Sequence, residues 1–339
     1  MSIKESLIKN FIGLGALISA LLFFSGFLVI LTPLPLLYVS ATSGRKAGLI
    51  SSGIAFAIVF SIYFLVFKGA HVSTGGYDFI LPLPGLGFGS FFSVSAVRFF
   101  GITYFLFFLT IALVLGDAIR LNWGLVKGST SALITALILL IVVSFLFGFS
   151  DIINAISNYL EFAVKEVARI QTETGNSNVQ TMMLVENGPM IAAFVLKVMP
   201  ALIFVMTAIA VAVNLLLSRR FVRKNNLFVG NEWEISGITL PDSLIWVVII
   251  AASSFFIGHY LLDWSFLEYL GINTVIIFSV LYFFQGIAVT TFFIGNIKLP
   301  LVRILLFVMI ILFFQFFALL IIGLGVADIW AKFRVKRTT

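Results

Sequence analysis

Apolar runs separated by short polar breaks dominate this chain. Stretches almost without charge occupy residues 11–31, 47–67, 99–119, 130–149, 190–217, 243–262, 272–294 and 301–324. A helix that crosses a bilayer needs about 20 mostly apolar residues, and these eight runs meet or approach that length. The pattern predicts an all-α fold, a polytopic helical integral membrane protein with about eight spans, between seven and nine.

Two stretches set those limits. Residues 11–40 are one apolar run broken by Ser25-Gly26 and by Thr32-Pro33-Leu34-Pro35. The run reads either as a span followed by a short extended segment or as a tight pair of short helices. Residues 85–97, GLGFGSFFSVSAV, are short and glycine-rich. They fit a re-entrant or interfacial piece, which needs protein around its backbone, or a ninth span.

Residues 151–188 follow a different rhythm. Ile152, Ile156, Tyr159, Ala163, Val167 and Ile170 recur at three- and four-residue steps, while Asp151, Asn154, Asn158, Glu161, Lys165 and Arg169 fall largely on the other face. That spacing predicts an amphipathic helix lying at the membrane surface or against a partner, followed by a TETGNSN loop. The chain then divides into an N-terminal membrane half (1–150), the amphipathic helix and loop (151–188), and a C-terminal membrane half with a basic tail (189–339).

Composition makes lipid the solvent. The chain is 61% hydrophobic and 10% charged, with a mean hydropathy of +1.17, whereas soluble domains carry about 25% charged residues. With no cysteine, disulfides, thiolate metal sites and cysteine nucleophiles are excluded. The net charge of +7 is the loop Lys and Arg excess of a membrane protein. No basic stripe interleaved with aromatics points to nucleic acid. MSIKESLIKN precedes an apolar run with no small-residue cleavage site, so the first segment reads as a retained span and not a removed signal. The most basic loop, SRRFVRKNN at 218–226, belongs in the cytoplasm by the positive-inside rule. Simple alternation puts Arg45-Lys46, Arg120 with Lys127, and Lys298 with Arg303 on that same side. The tail AKFRVKRTT then falls opposite, unless a doubtful segment changes the parity.

Polar residues inside spans are the candidate functional groups. Lys197, three residues before Pro200, either faces a cavity, pairs with a carboxylate, or snorkels to the headgroups. Asp117 and Arg120 are spaced to pair on one helix face. His259 and Asp263 would share a face if their helix persists, beside the interfacial aromatics Tyr260 and Trp264. Asn214, Gln285 and Gln315 are deep amides. In QGIAVTTFF, small Gly286 and Ala288 invite close approach of another helix, whose backbone or side chains, such as Gln315 or Asn214, Gln285 would reach. No catalytic triad, phosphate loop, metal-ligand cluster or cofactor motif is spelled out, so the chain is expected to be no enzyme and to carry no catalytic, cofactor or metal site.

Several pieces in order, NLLLSRRFVRKN (214–225), ITLPDSLIWVVII (238–250), LYFFQGIAVTTFFI (281–294) and GLGVADIWAKFR (323–334), preceded by TPLPLLYVSATSGRKAGLISSG (32–53), resemble the YybS-like family of bacterial membrane proteins, a predicted domain of unknown function. The closing piece adds Asp328 to the candidate polar residues. The first half is similar to MreD and to the substrate-binding components of energy-coupling-factor transporters. By analogy, the resemblance implies a helical membrane fold with a solute-sized cavity or a partner groove. The chain departs from that pattern by its insertion at 68–98 and by residues 151–188.

These readings lead to a non-catalytic membrane subunit or scaffold of an envelope-associated complex, in the bacterial cytoplasmic membrane, with a membrane or cytoplasmic protein partner. The alternative is a transport-related component that binds a small-molecule solute. A polar cavity lined by Lys197, Gln285 or Gln315 would favour the solute; solid packing at those residues would favour the subunit. Deleting residues 151–170 should weaken surface or partner contacts and leave insertion intact. Labelling of single introduced cysteines, with none native to interfere, checks this; loss of insertion of every span would overturn it.

Overall fold

The computed structural model describes residues 3–66, 94–147, 187–224 and 238–334, with Ile153, Ser157 and Arg169. The amphipathic segment expected at 151–188 lies almost wholly outside them, as do residues 85–93 of the glycine-rich piece. All regular structure among the described residues is helical. Ten α-helices follow in order: α1 (Ile3–Phe24), α2 (Pro33–Ser43), α3 (Arg45–Val66), α4 (Val94–Arg120), α5 (Leu125–Phe147), α6 (Gly188–Lys224), α7 (Leu244–Phe256), α8 (Ser265–Gly295), α9 (Pro300–Leu312) and α10 (Phe314–Ala331). Seven of these stretches are long and apolar enough to cross a membrane, so the chain is a polytopic all-α membrane protein.

The chain forms two compact units. The first comprises Met1–Trp123, Lys127–Met199 and Met206–Val229; the second comprises Gly124–Val126, Pro200–Val205 and Gly230–Thr339.

In the first unit the long run at 11–40 is a helix pair. Ser25-Gly26 ends α1, with Gly26 at φ +70° in the left-handed region that a glycine reaches without strain. The Ser25 hydroxyl holds the turn by accepting from the Leu28 N–H at 3.0 Å. Pro33 then opens α2 at its first position, where its missing N–H costs nothing. Carbonyls freed between the helices find donors inside the protein, as membrane burial requires: Ser19 Oγ donates to Thr32 O at 2.8 Å and Asn214 Nδ2 to Ile30 O at 2.7 Å. Helices α1–α4 pack around an aromatic core. The rings of Phe23 and Phe105 meet edge-on at 4.9 Å, with Tyr63 also against Phe23. Arg45 at the start of α3 and Arg120 at the end of α4 both reach Asp117, at 3.4 and 3.2 Å. The expected Asp117–Arg120 pair is therefore present, and Arg45 and Arg120 lie at one end of the unit, as the charge pattern implied.

In the second unit, the apolar run at 301–324 is not one span. It breaks at Phe313 (φ −108°, ψ 33°) into α9, 13 residues long, and α10, which continues to Ala331. At about 1.5 Å per residue, α9 is roughly 20 Å long, too short for a hydrocarbon core of about 30 Å. Arg303 Nη2 donates to the carbonyls of Ile297 (2.8 Å) and Gly295 (3.3 Å) at the end of α8, a favourable place for a cation. Phe333 stacks edge-on against Phe293 near that same end. The tail thus begins at the Lys298–Arg303 end of α8 and not opposite it: the broken run changes the parity that simple alternation assumed.

Helices α8 and α10 cross backbone to backbone. A Cβ built on Gly286 would fall on the Ile321 carbonyl oxygen, and one built on Gly325 on the Tyr282 carbonyl oxygen. The contact is reciprocal, glycine on each helix facing the carbonyl four residues before the other glycine. Such small-residue crossings let helices associate in lipid, with weak Cα–H···O contacts across the seam. A similar approach joins α7 and α8, where a Cβ on Gly271 would lie 2.6 Å from the Ala251 carbonyl oxygen. Gly323, on the other side of α10, has nothing within 4 Å of its Cβ position. Gly325→Ala should therefore cost about 1–3 kcal/mol of overpacking and Gly323→Ala close to nothing. Thermal unfolding of both variants in detergent checks this, and equal midpoints would contradict the crossing.

Candidate functional site

A dense polar cluster of the second unit is built on the α8–α10 crossing. Asp328 lies three residues past Gly325, near the end of α10, and is 6% exposed. Its Oδ2 accepts from Arg334 Nη2 at 2.5 Å and from Gln285 Nε2 at 3.1 Å. Its Oδ1 accepts from the Phe333 N–H at 3.1 Å. Arg334, whose side chain is 10% exposed, donates from Nη1 to the Ile238 carbonyl at 2.6 Å. Gln285 Oε1 accepts from the Leu240 N–H at 3.1 Å. One buried carboxylate thus joins four pieces of chain: α8, α10, the turn after α10, and the non-helical segment before α7.

Local structure delivers each group. Position 285 falls next to Gly286, so the glycine contact that brings α10 close also puts the amide beside it. Lys332 adopts a left-handed conformation (φ 43°, ψ 50°) and donates its N–H to the Asp328 carbonyl. That conformation costs a non-glycine residue about 1 kcal/mol. It folds the chain back so that Arg334 reaches the carboxylate it follows by six residues. Residues 238–240, just before Pro241, belong to no helix, and a following proline disfavours the helical conformation for Leu240. The segment's N–H and C=O are satisfied by Gln285 and Arg334 in place of a neighbouring strand.

The other expected residues are placed elsewhere. Gln285 pairs with neither Gln315 nor Asn214. Gln315 is exposed on the first turn of α10, about 20 Å along the helix from Asp328. Asn214 belongs to the first unit, where it closes the break between α1 and α2 and also donates to Ala210 O at 2.8 Å. Lys197 is half-buried on α6, in the first unit. His259 does not pair with Asp263. The helix does not persist: a π-helical turn at Ile257–Leu261 ends it, and Asp263 turns away at φ +46°. His259 Nδ1 instead faces Glu268 Oε1 at 3.2 Å, with its ring stacked on Phe255. Tyr260 and Trp264 are exposed at this helix end, as interfacial anchors are.

Three partners escaped the sequence reading. Arg334 looked like one of several tail cations; its only signal was a spacing of six from Asp328 across a helix end. Glu268 lies beyond the turn that separates it from His259. Asn273 was overlooked as a span amide. Its Oδ1 accepts from the Ala201 N–H at 3.0 Å, and its Nδ2 donates to Tyr269 O at 2.8 Å. Proline within a helix disturbs the hydrogen bonds around it, and Ala201 follows Pro200 directly. The amide of α8 satisfies the donor at that disturbance.

Among the described residues no group of three or more His, Cys, Asp or Glu is placed to hold a metal ion. The cluster acts as a tie: both carboxylate oxygens and both ends of the Gln285 amide are engaged within the unit. Asp328→Ala leaves Arg334 buried without its counter-ion, a loss of about 3–5 kcal/mol. Asp328→Leu with Arg334→Met should recover most of that, because the charge that needs a partner goes too. Gln285→Leu removes two neutral or singly charged bonds and should cost about 1–3 kcal/mol. Unfolding midpoints in detergent check the order; a double variant as unstable as Asp328→Ala would refute it.

A family model described as "Predicted membrane protein (DUF2232)" matches residues 85–329, a stretch that includes Gln285 and Asp328 and stops before Arg334. No curated protein matches the chain, and no solved structure matches it. With most of its length matched, the chain belongs to the DUF2232 family of predicted membrane proteins.

Proposed function

We propose that this multi-pass membrane protein is a non-catalytic subunit or scaffold of an envelope-associated complex, seated in the bacterial cytoplasmic membrane with the 218–226 loop facing the cytoplasm. The observation that carries this reading is the saturation of the Asp328 cluster. A group that works on a substrate or ion keeps a position open for it; here the carboxylate's partners are an arginine, an amide and a backbone N–H of its own chain. Asn273 bonds backbone groups through both ends of its amide, and Asn214 gives its Nδ2 to the carbonyls of Ile30 and Ala210. This is the use of polar side chains as interhelical glue.

The surface of α9 supports the second half of the reading. This short helix has no buried residue, and Leu301 (80%), Ile311 (72%) and Leu312 (71%) are among its exposed apolar side chains. A helix too short to cross the core by itself gains from a protein neighbour that covers it, since the bilayer otherwise deforms around it. Of the residues that could line a solute cavity, Lys197, Gln285 and Gln315, Gln285 is bonded instead to the Leu240 N–H and to Asp328.

A photoreactive amino acid placed at Ile311 or Leu312, in native membranes, should give a discrete cross-link to another protein; the same residue at Phe145 on α5 serves as the comparison. Cross-links to lipid alone from both helices, together with a small molecule retained stoichiometrically by the purified chain, would overturn the subunit reading in favour of the solute.

A further inference from the structure

We infer that the groove between α1 and α2, with the basic cluster at its end, is a binding site for one anionic phospholipid: an acyl chain in the groove and the headgroup phosphate on Arg45 and Lys46. The inference is independent of the subunit reading. The groove has a volume of about 290 Å³ and is lined by Phe11, Leu14 and Ile18 of α1 and by Leu34, Pro35 and Tyr38 of α2, over a floor of Gly15 and Val39. That volume is at the low end for ligand-sized pockets, about 300–1,000 Å³, and the lining suits hydrocarbon. The floor is tight: a Cβ on Gly15 would come within 2.7 Å of Val39 Cγ2, so glycine there is what gives the groove its depth.

The charge stands where a lipid would carry it. Ser51 Oγ of α3 donates to the Ile12 carbonyl of α1 at 2.8 Å, and Tyr63 of α3 packs on Phe23 and Phe24 of α1. Helices α1 and α3 therefore run parallel, Ile12 level with Ser51. Arg45 lies six residues before Ser51, about 9 Å further along the axis, just beyond the Phe11 end of the groove. Lys46 adjoins it, and Arg120 shares Asp117 with Arg45. Two arginines thus share one carboxylate, and Lys46 adds a third cation beside them, so positive charge exceeds negative among the described side chains at this helix end. Arg45 keeps a side chain 66% exposed despite its ion pair, and Lys46 is exposed. Arginine's fork can hold Asp117 and a phosphate at once. An apolar slot ending in surplus positive charge at a helix end in the membrane matches an anionic lipid and not a zwitterionic one, whose own cation would meet Arg45 and Lys46.

The test uses the full chain, stripped of lipid in mild detergent, and native mass spectrometry with phosphatidylglycerol and phosphatidylcholine of identical acyl chains. Each basic side chain contributes about fivefold to the preference for an anionic headgroup. The unmodified chain should retain one phosphatidylglycerol with roughly tenfold preference or more. R45Q/K46Q should bring the two lipids to equal retention, and Ile18→Trp, which fills the groove, should lose both. Thermal unfolding identifies any variant that fails to fold; Lys46→Gln alone, an exposed change, still decides the charge half by lowering the preference. Equal retention of the two lipids by the unmodified chain, an undiminished preference in R45Q/K46Q or K46Q, or a groove closed by a second copy of the chain in the lipid-free spectrum would overturn the site.

Discussion

The buried carboxylate of Asp328, set among apolar helices, ties the second unit together. A carboxylate removed from water needs a cation and hydrogen-bond donors close by, and Asp328 has both. Among the described residues the cation that reaches it is Arg334, and the chain after α10 turns back to bring it there, through a left-handed lysine. Arg334 in turn binds the Ile238 carbonyl, and Gln285 links the same carboxylate to the Leu240 N–H. The path before α7, the end of α10 and the face of α8 are thereby set together. The glycine crossing makes this possible: without the close contact at Gly286 and Gly325, Gln285 would stand a side chain's width further from Asp328.

The same rule operates with weaker groups wherever the backbone is irregular. The break between α1 and α2 frees carbonyls, and Ser19 and Asn214 supply donors. Pro200 disturbs the hydrogen bonds of α6, and Asn273 accepts from the next N–H. Amides suffice at these places because they have to match neutral backbone groups, whereas the Asp328 carboxylate is matched by the full opposite charge of Arg334. Ser19, Asn214 and Asn273 act as repairs to helices that cannot be continuous, at prolines, glycines and helix ends.

How much was legible in the sequence differs by residue. The close contact at Gly286 was readable because small residues beside an amide in an apolar run have few other uses. The partner was not: Gln315 and Asn214 matched Gln285 chemically, yet Asp328 met it, since pairing depends on which helix crosses at the glycine. His259 and Asp263 were spaced for one helical face, and a π-helical turn moved them apart and brought Glu268 forward. The run at 301–324 had the length and apolarity of one span; a bend at Phe313, which carries no proline or glycine, divided it.

Hydropathy alone determined that the chain is helical and crosses the membrane several times, because lipid leaves a polar backbone no alternative to closing its hydrogen bonds within each segment. Local punctuation, Ser25-Gly26 and Pro33 above all, determined where α1 stops and α2 begins. Tertiary structure decided which polar groups meet, at which end of α8 the tail begins, and that Arg334 is a buried partner and not a surface cation. Those outcomes rest on contacts between residues far apart in the chain, selected by how closely two backbones can approach, and spacing along one segment carries no record of that distance.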